Sequence, residues 1–144
     1  MRSLGDLELQ DISKDGRVLV TSFQRRLGLI GSAPGEGQEH DWSWFDYSVL
    51  SNISSDGSKL LFSESSGAGG PLYSVFLRRT DGSPAVRLGD GRGEAISPDG
   101  KSVLALVPTS PPQLSLLPTG AGEPRMLSRD SIDYQRAWWF PDGK

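Results

Sequence analysis

The sequence contains no cysteine and a single histidine, His40. The first absence removes disulfide frameworks, thiolate metal sites, iron–sulfur clusters and cysteine nucleophiles together. It does not fix the compartment, because a disulfide-free domain is at home on either side of a membrane. The second leaves no pair of imidazoles for a metal centre. His40 and its neighbour Asp41 would point to opposite faces of a strand, so His40 reads as a surface or loop residue. Long apolar runs are missing too. The longest, Val103 to Val107, is far short of the roughly 20 residues that cross a bilayer, which predicts no membrane insertion. After Met1 and Arg2 the chain turns polar, and no secretory signal is read there. Nor is there an excess of positive charge: the net charge of −3 argues against a nucleic-acid-binding surface.

What remains is one domain's worth of chain, 144 residues with 35% hydrophobic and 23% charged side chains. Glycine (18) and proline (10) together make about 19% of it, against roughly 12% in an average protein. That excess signals many turns. Windows of a dozen residues show no sustained helical period, and Gly or Pro interrupts most of them.

One pattern recurs. It appears as Ile12-Ser13-Lys14-Asp15-Gly16, as Ile53-Ser54-Ser55-Asp56-Gly57, and as Ile96-Ser97-Pro98-Asp99-Gly100. A fourth copy is Trp139-Phe140-Pro141-Asp142-Gly143-Lys144. The aspartates lie 41, 43 and 43 residues apart, a period that suits a four-stranded repeat unit. The turn has a physical reason: Pro98 suits the first corner of a type I turn, Asp99 the second, and Gly100 the left-handed conformation that closes the hairpin. The flanks read as strands, with Val18, Val20, Leu60, Phe62, Val103 and Ala105 alternating or nearly so.

A second turn follows each copy, at Pro34-Gly35, Asp81-Gly82 and Thr119-Gly120. Apolar stretches lie on either side: Leu27 to Ile30 and His40 to Phe45, Leu72 to Leu77 and Val86 to Leu88, Leu114 to Leu117 and Arg125 to Leu127. The Gly/Ser-rich insertion from Ser65 to Pro71 reads as a flexible hairpin tip. Each unit therefore predicts four short antiparallel strands, over residues of about 6–46, 47–90 and 91–130. The stretch 131–144 predicts the first strand of a fourth unit, at Ala137 to Phe140.

These residues resemble the WD40-like (PD40) repeat of TolB-type β-propellers, above all Ile96-Ser97-Pro98-Asp99-Gly100-Lys101 and Trp139 to Lys144. The resemblance extends over nearly the whole chain and implies an all-β fold of four-stranded antiparallel blades, three complete and one begun. The stretch Leu77-Arg78-Arg79-Thr80-Asp81-Gly82-Ser83-Pro84-Ala85-Val86-Arg87-Leu88-Gly89 also resembles blades appended to bacterial serine/threonine protein kinases. It implies a sensing or interaction role beside a kinase domain, and the family leans towards an extracytoplasmic place. The kinase motifs themselves (His-Arg-Asp, Asp-Phe-Gly, a Gly-rich loop with its lysine) do not occur in this sequence. The rival implications are a gating propeller beside a peptidase or hydrolase domain, and a TolB-like periplasmic interaction protein. Propellers close with four to eight blades, so three units suggest either a piece of a longer ring or two copies associating into a six-bladed one.

Candidate chemistry is sparse. No Gly-x-Ser-x-Gly elbow occurs. The clusters Gly67 to Gly70 and Gly89 to Gly93 fit neither phosphate-loop pattern and read as loop tips. Asp90 with Glu94, or Asp130 with Asp133, lack the ligand spacing of a calcium loop. No catalytic residue, metal or cofactor is therefore predicted. The pairs Arg25-Arg26 and Arg78-Arg79 read as solvated edge residues, and the Asn52-Ile53-Ser54 sequon is discounted because it enters a tight turn. Two aromatic clusters stand out, Trp42, Trp44, Phe45 and Tyr47, then Tyr134, Trp138, Trp139 and Phe140. Packing between units explains both. The alternative is a patch that binds a protein or peptide, with Trp42, Trp44, Tyr47, Trp138 and Trp139 as anchors.

Overall fold

The computed structural model describes residues 6–23, 26–33, 35–65, 69–70, 72–127 and 129–143. Arg25, Pro34, the tip at 66–68, Pro71 and Lys144 lie outside them. The described residues form an all-β structure with no helix. The strands are β1 (Asp6–Ile12), β2 (Val18–Phe23), β3 (Ile30–Gly31), β4 (His40–Asp41), β5 (Ser48–Ile53), β6 (Lys59–Glu64), β7 (Ser74–Arg79), β8 (Val86–Asp90), β9 (Arg92–Ile96), β10 (Ser102–Val107), β11 (Gln113–Pro118) and β12 (Arg125–Met126). They make four antiparallel sheets: β1-β2, β3-β4, and the four-stranded meanders β5-β6-β7-β8 and β9-β10-β11-β12.

The repeat is visible in hydrogen-bond register. In each hairpin around an Asp-Gly turn, pairing slips at the same place. The slip lies between Leu9 and Asp11 in the first, between Leu50 and Asn52 in the second, and between Gly93 and Ala95, opposite Ala105 and Leu104, in the third. The slip therefore sets the same face in all three, placing Ile12 opposite Val18, Ile53 opposite Leu60, and Ile96 opposite Val103. Each turn closes with its glycine left-handed, at φ 81° for Gly16 and 69° for both Gly57 and Gly100. A side chain at those positions would be strained.

Strand alternation gives the second unit two apolar faces. Leu60, Phe62 and Phe76 pack on Leu29 and Trp42 of the first unit, with Phe62 and Phe76 stacked at 5.6 Å. Leu61 and Val75, on the opposite face, pack on Ile96, Val103, Ala105 and Leu117 of the third. The second unit is thus the filling of a layered core. Burial of each large aliphatic side chain there contributes about 1.5–3 kcal/mol.

Four expectations are corrected. The first unit is not one four-stranded sheet: β1-β2 and β3-β4 are separate. Its third segment bonds to its own fourth, with the Leu27 amide donating to the Asp46 carbonyl at 3.0 Å and the Leu29 amide to the Ser43 hydroxyl at 2.9 Å. It meets the second unit where the Ser48 amide donates to the Leu27 carbonyl at 3.0 Å. Ala137 to Phe140 form no strand. Side chains take carbonyls of the segment that precedes it: Gln113 donates to Asp130 at 3.1 Å and Arg92 to Gln135 at 2.7 Å. Gly89 to Gly93 is not a loop tip, since Gly89 lies in β8 and Gly93 in β9. A Cβ on Gly93 would stand 3.1 Å from Leu61 and 3.2 Å from Val75, so glycine lets the sheets meet. Finally, β7 is internal to its sheet, and Arg78 is no edge residue.

Candidate binding groove

At the end of the molecule that carries the Asp-Gly turns, three successive copies of the repeat come together around an open groove of about 470 Å³. One wall is Ser54, Ser55 and Asp56 of the second turn, the middle is the turn Ser97–Gly100, and the far wall is Trp138, Trp139 and Phe140.

The turns are built alike. The serine hydroxyl donates to the aspartate two residues on, at 2.6 Å in both Ser54–Asp56 and Ser97–Asp99. The same hydroxyl accepts the Lys59 amide at 2.9 Å in one copy and the Ser102 amide at 3.0 Å in the other. Each aspartate also accepts the amide two residues later, Ser58 for Asp56 and Lys101 for Asp99, at 3.0 Å. Hydrogen bonds to the ionised form hold it in place. The Ser54 hydroxyl, then the Ser58 amide, keeps Asp56 far below the usual carboxylate range. The Ser97 hydroxyl, then the Lys101 amide, lowers Asp99 as well. Both remain carboxylates at neutral pH.

Cross-unit bonds fix the distance between walls. The Ile96 amide donates to the Asn52 side chain at 3.2 Å, and Lys59 Nζ reaches the Gly100 carbonyl at 3.4 Å. The Trp139 indole donates to the Ala95 carbonyl at 3.3 Å. Buried Glu94 accepts Arg92 Nε at 2.7 Å and stands 3.8 Å from Arg136 Nη1, which ties the segment before Trp138 to β9. Trp139 is thereby half-buried, whereas Trp138 and Phe140 are each 71% exposed.

The structure separates the sequence-predicted anchors. Trp42 is only 6% exposed and belongs to the core with Phe62 and Phe76. Trp44 is partly exposed under the Arg78 guanidinium, 5.6 Å from its ring, and Tyr47 is half-buried where it bridges Leu27. None of these three lines the groove. Trp138 and Trp139 do. The turn residues Asp56, Gly100, Pro98, Asp99 and Pro141 lie at it as well, while Asp15 and Gly16, in the turn of the first hairpin, do not line it. Gly143, past Asp142, closes the fourth turn at φ 79°. In that copy Phe140 stands where Ser13, Ser54 and Ser97 stand in the others, placing a ring where the others have a hydroxyl.

Sequence reasoning missed Asn52 and Lys59, whose cross-unit partners lie 44 and 41 residues away. Spacing of one repeat was the available signal. It also missed Arg78, which donates to the carbonyls of Trp42 at 2.9 Å, Ser43 at 3.2 Å and Ser83 at 3.1 Å. His40 is exposed and pairs with Glu36 at 2.8 Å. Asp90 is bonded to Arg87, and Glu94 to Arg92. Among the described residues, no three His, Asp or Glu side chains are grouped to hold a metal ion. Compared with known proteins, the chain matches no family model and no curated protein.

Proposed function

We propose that the chain is a run of β-propeller units that works by binding a peptide segment of a protein partner in this groove, without catalysing a reaction. Two complete four-stranded meanders packed face to face support the propeller reading. So does the common register slip in the three hairpins. The observation that carries the binding reading is the pair of wet aromatic rings, Trp138 and Phe140, on an open groove where the Ser54 and Ser97 hydroxyls are already committed. Ser54 and Ser97 donate to their own aspartates and accept backbone amides, which suits a rigid wall better than a nucleophile. Exposed aromatic groups beside satisfied polar ones are the composition of interface anchors. The place of such a module beside a bacterial serine/threonine kinase rests on the resemblance of residues 77–89.

The test is selection of a displayed random-peptide library on the purified chain, with a Trp138→Ala/Phe140→Ala double variant as control. Enriched peptides that perturb tryptophan fluorescence of the parent chain and bind the variant at least ten-fold more weakly support the reading. An absence of enrichment, or equal binding to both, overturns it.

A further inference from the structure

The groove joins exposed apolar walls to a net negative charge. Ile53 reaches solvent on one wall, Trp138 and Phe140 on the other. Ile53 is 52% exposed, although its counterpart in the third unit, Ile96, is 8% exposed. Of the charged side chains that line the groove, Asp56 and Asp99 are carboxylates and Lys59 is the ammonium. Lys59 already reaches the Gly100 carbonyl at 3.4 Å, which leaves the carboxylates to a cation from outside.

Two other turns of the chain show what such an aspartate takes. In the first hairpin the Ser13 hydroxyl occupies Asp15 Oδ1, and Arg17 Nε stands 3.0 Å from Oδ2. In the turn after β7 the Ser83 hydroxyl occupies Asp81 Oδ1 at 2.5 Å, and Arg79 Nε lies 2.7 Å from Oδ2. Asp99 repeats the first half of this arrangement, its Oδ1 accepting the Ser97 hydroxyl and the Lys101 amide. The second half is missing. Lys101 follows Asp99 as Arg17 follows Asp15, yet it forms no ion pair with Asp99, and Oδ2 accepts no hydrogen bond among the described residues. On Asp56 the same oxygen takes the Ser58 hydroxyl at 2.8 Å. Asp99 is thus the groove carboxylate with an open oxygen.

Resting on the peptide-binding reading above, we propose that the partner peptide enters the groove as an arginine side chain, its guanidinium on Asp99 and its flat face against the Trp138 ring. An apolar stem that ends in a planar cation matches both halves of the groove. Indole is the strongest of the aromatic faces for a cation, and Trp138 is free to offer it. Lysine brings the same charge without the planar fork that stacks on a ring. An acidic side chain there meets two carboxylates and is repelled.

The test extends the peptide selection. Enriched peptides should share an arginine at one position. The most enriched peptide is resynthesised with citrulline there, which keeps the shape and removes the charge, and with lysine. Citrulline should weaken binding to the parent chain about ten-fold or more, and lysine about three-fold or more. Affinity for the arginine peptide should fall between about 0.05 M and about 0.5 M salt, while that for the citrulline peptide holds. Asp99→Asn, which keeps an acceptor for the Lys101 amide, should bring the arginine and citrulline peptides within about two-fold of each other. If that variant does not fold, the arginine-to-citrulline ratio and the salt dependence of the parent chain decide. Enriched peptides without a shared arginine overturn the proposal and leave the groove as a peptide site. So does equal binding of citrulline or lysine, or an Asp99→Asn chain that keeps the full preference for arginine. An absence of any enrichment overturns both readings together.

Discussion

The amide of Gly93 donates to the hydroxyl of Ser63 at 2.9 Å, across the buried seam between the second and third units. The bond joins two sheets that have no shared ladder, and it exists because Gly93 brings β9 close to Leu61 and Val75. Ser63→Ala leaves a buried amide without its acceptor, at a cost of about 1–3 kcal/mol. Gly93→Ala forces a methyl group to within 3.2 Å of Val75 and 3.1 Å of Leu61. That overpacking costs about 1–3 kcal/mol, offset by up to about 1 kcal/mol from a less flexible unfolded chain. Urea midpoints of both variants check the prediction. Two unchanged midpoints would show that the seam does not set stability.

Arg78 joins the first unit to the second. Its guanidinium gives Trp42, Ser43 and Ser83 their carbonyl partners and lies over Trp44. Arg78→Ala should cost about 1–3 kcal/mol, read as a lower urea midpoint together with a change in tryptophan emission. Arg78→Lys should recover less than half of it, because an ammonium is a point donor and cannot fork between separate carbonyls. Full recovery by lysine would show that charge alone matters there.

These two residues mark the limit of what the sequence discloses. The Asp-Gly period and the strand positions around it were legible because a left-handed turn residue and alternating faces are local chemical requirements. The second and third units follow them closely. Arg78 reads like any solvated basic pair, since nothing local tells that β7 is internal or that Trp42 ends beneath it. Trp42 and Trp138 are alike in sequence context, each an aromatic near a turn. Only long-range packing buries the first and leaves the second wet. The missing strand at Ala137 to Phe140 has the same origin: its residues suit a strand, but Arg92 and Gln113 hold the neighbouring carbonyls instead.

Acid should weaken the turns. Asp81, bonded first to the Ser83 hydroxyl and then to Arg79, is lowered to about 2, and Asp56 and Asp99 are lowered by Ser54 and Ser97. An unfolded aspartate titrates near about 3.9, so between these values the unfolded chain binds more protons than the folded one. Stability from these groups is therefore full above about pH 4 and is lost as pH falls through the folded values. Urea unfolding from pH 5 to pH 2 should show a falling midpoint. The slope should be shallower in an Asp56→Asn/Asp81→Asn/Asp99→Asn variant. An unchanged slope would place the acid sensitivity elsewhere.

The two tryptophans offer the sharpest separation of stability from binding. Trp42 lies in the core against Leu29, Phe62 and Phe76, and Trp42→Ala removes a large buried ring, at about 3–5 kcal/mol. Trp138 is exposed at the groove, and Trp138→Ala should change stability by no more than about 0.5 kcal/mol. If the groove binds a peptide, the second variant loses binding while its urea midpoint stays put, and the first loses both together. A Trp138→Ala chain that unfolds as readily as Trp42→Ala would make that ring a packing element and remove the aromatic wall from the binding argument. Equal midpoints with undiminished binding would instead shift recognition to the turns of Asp56 and Asp99.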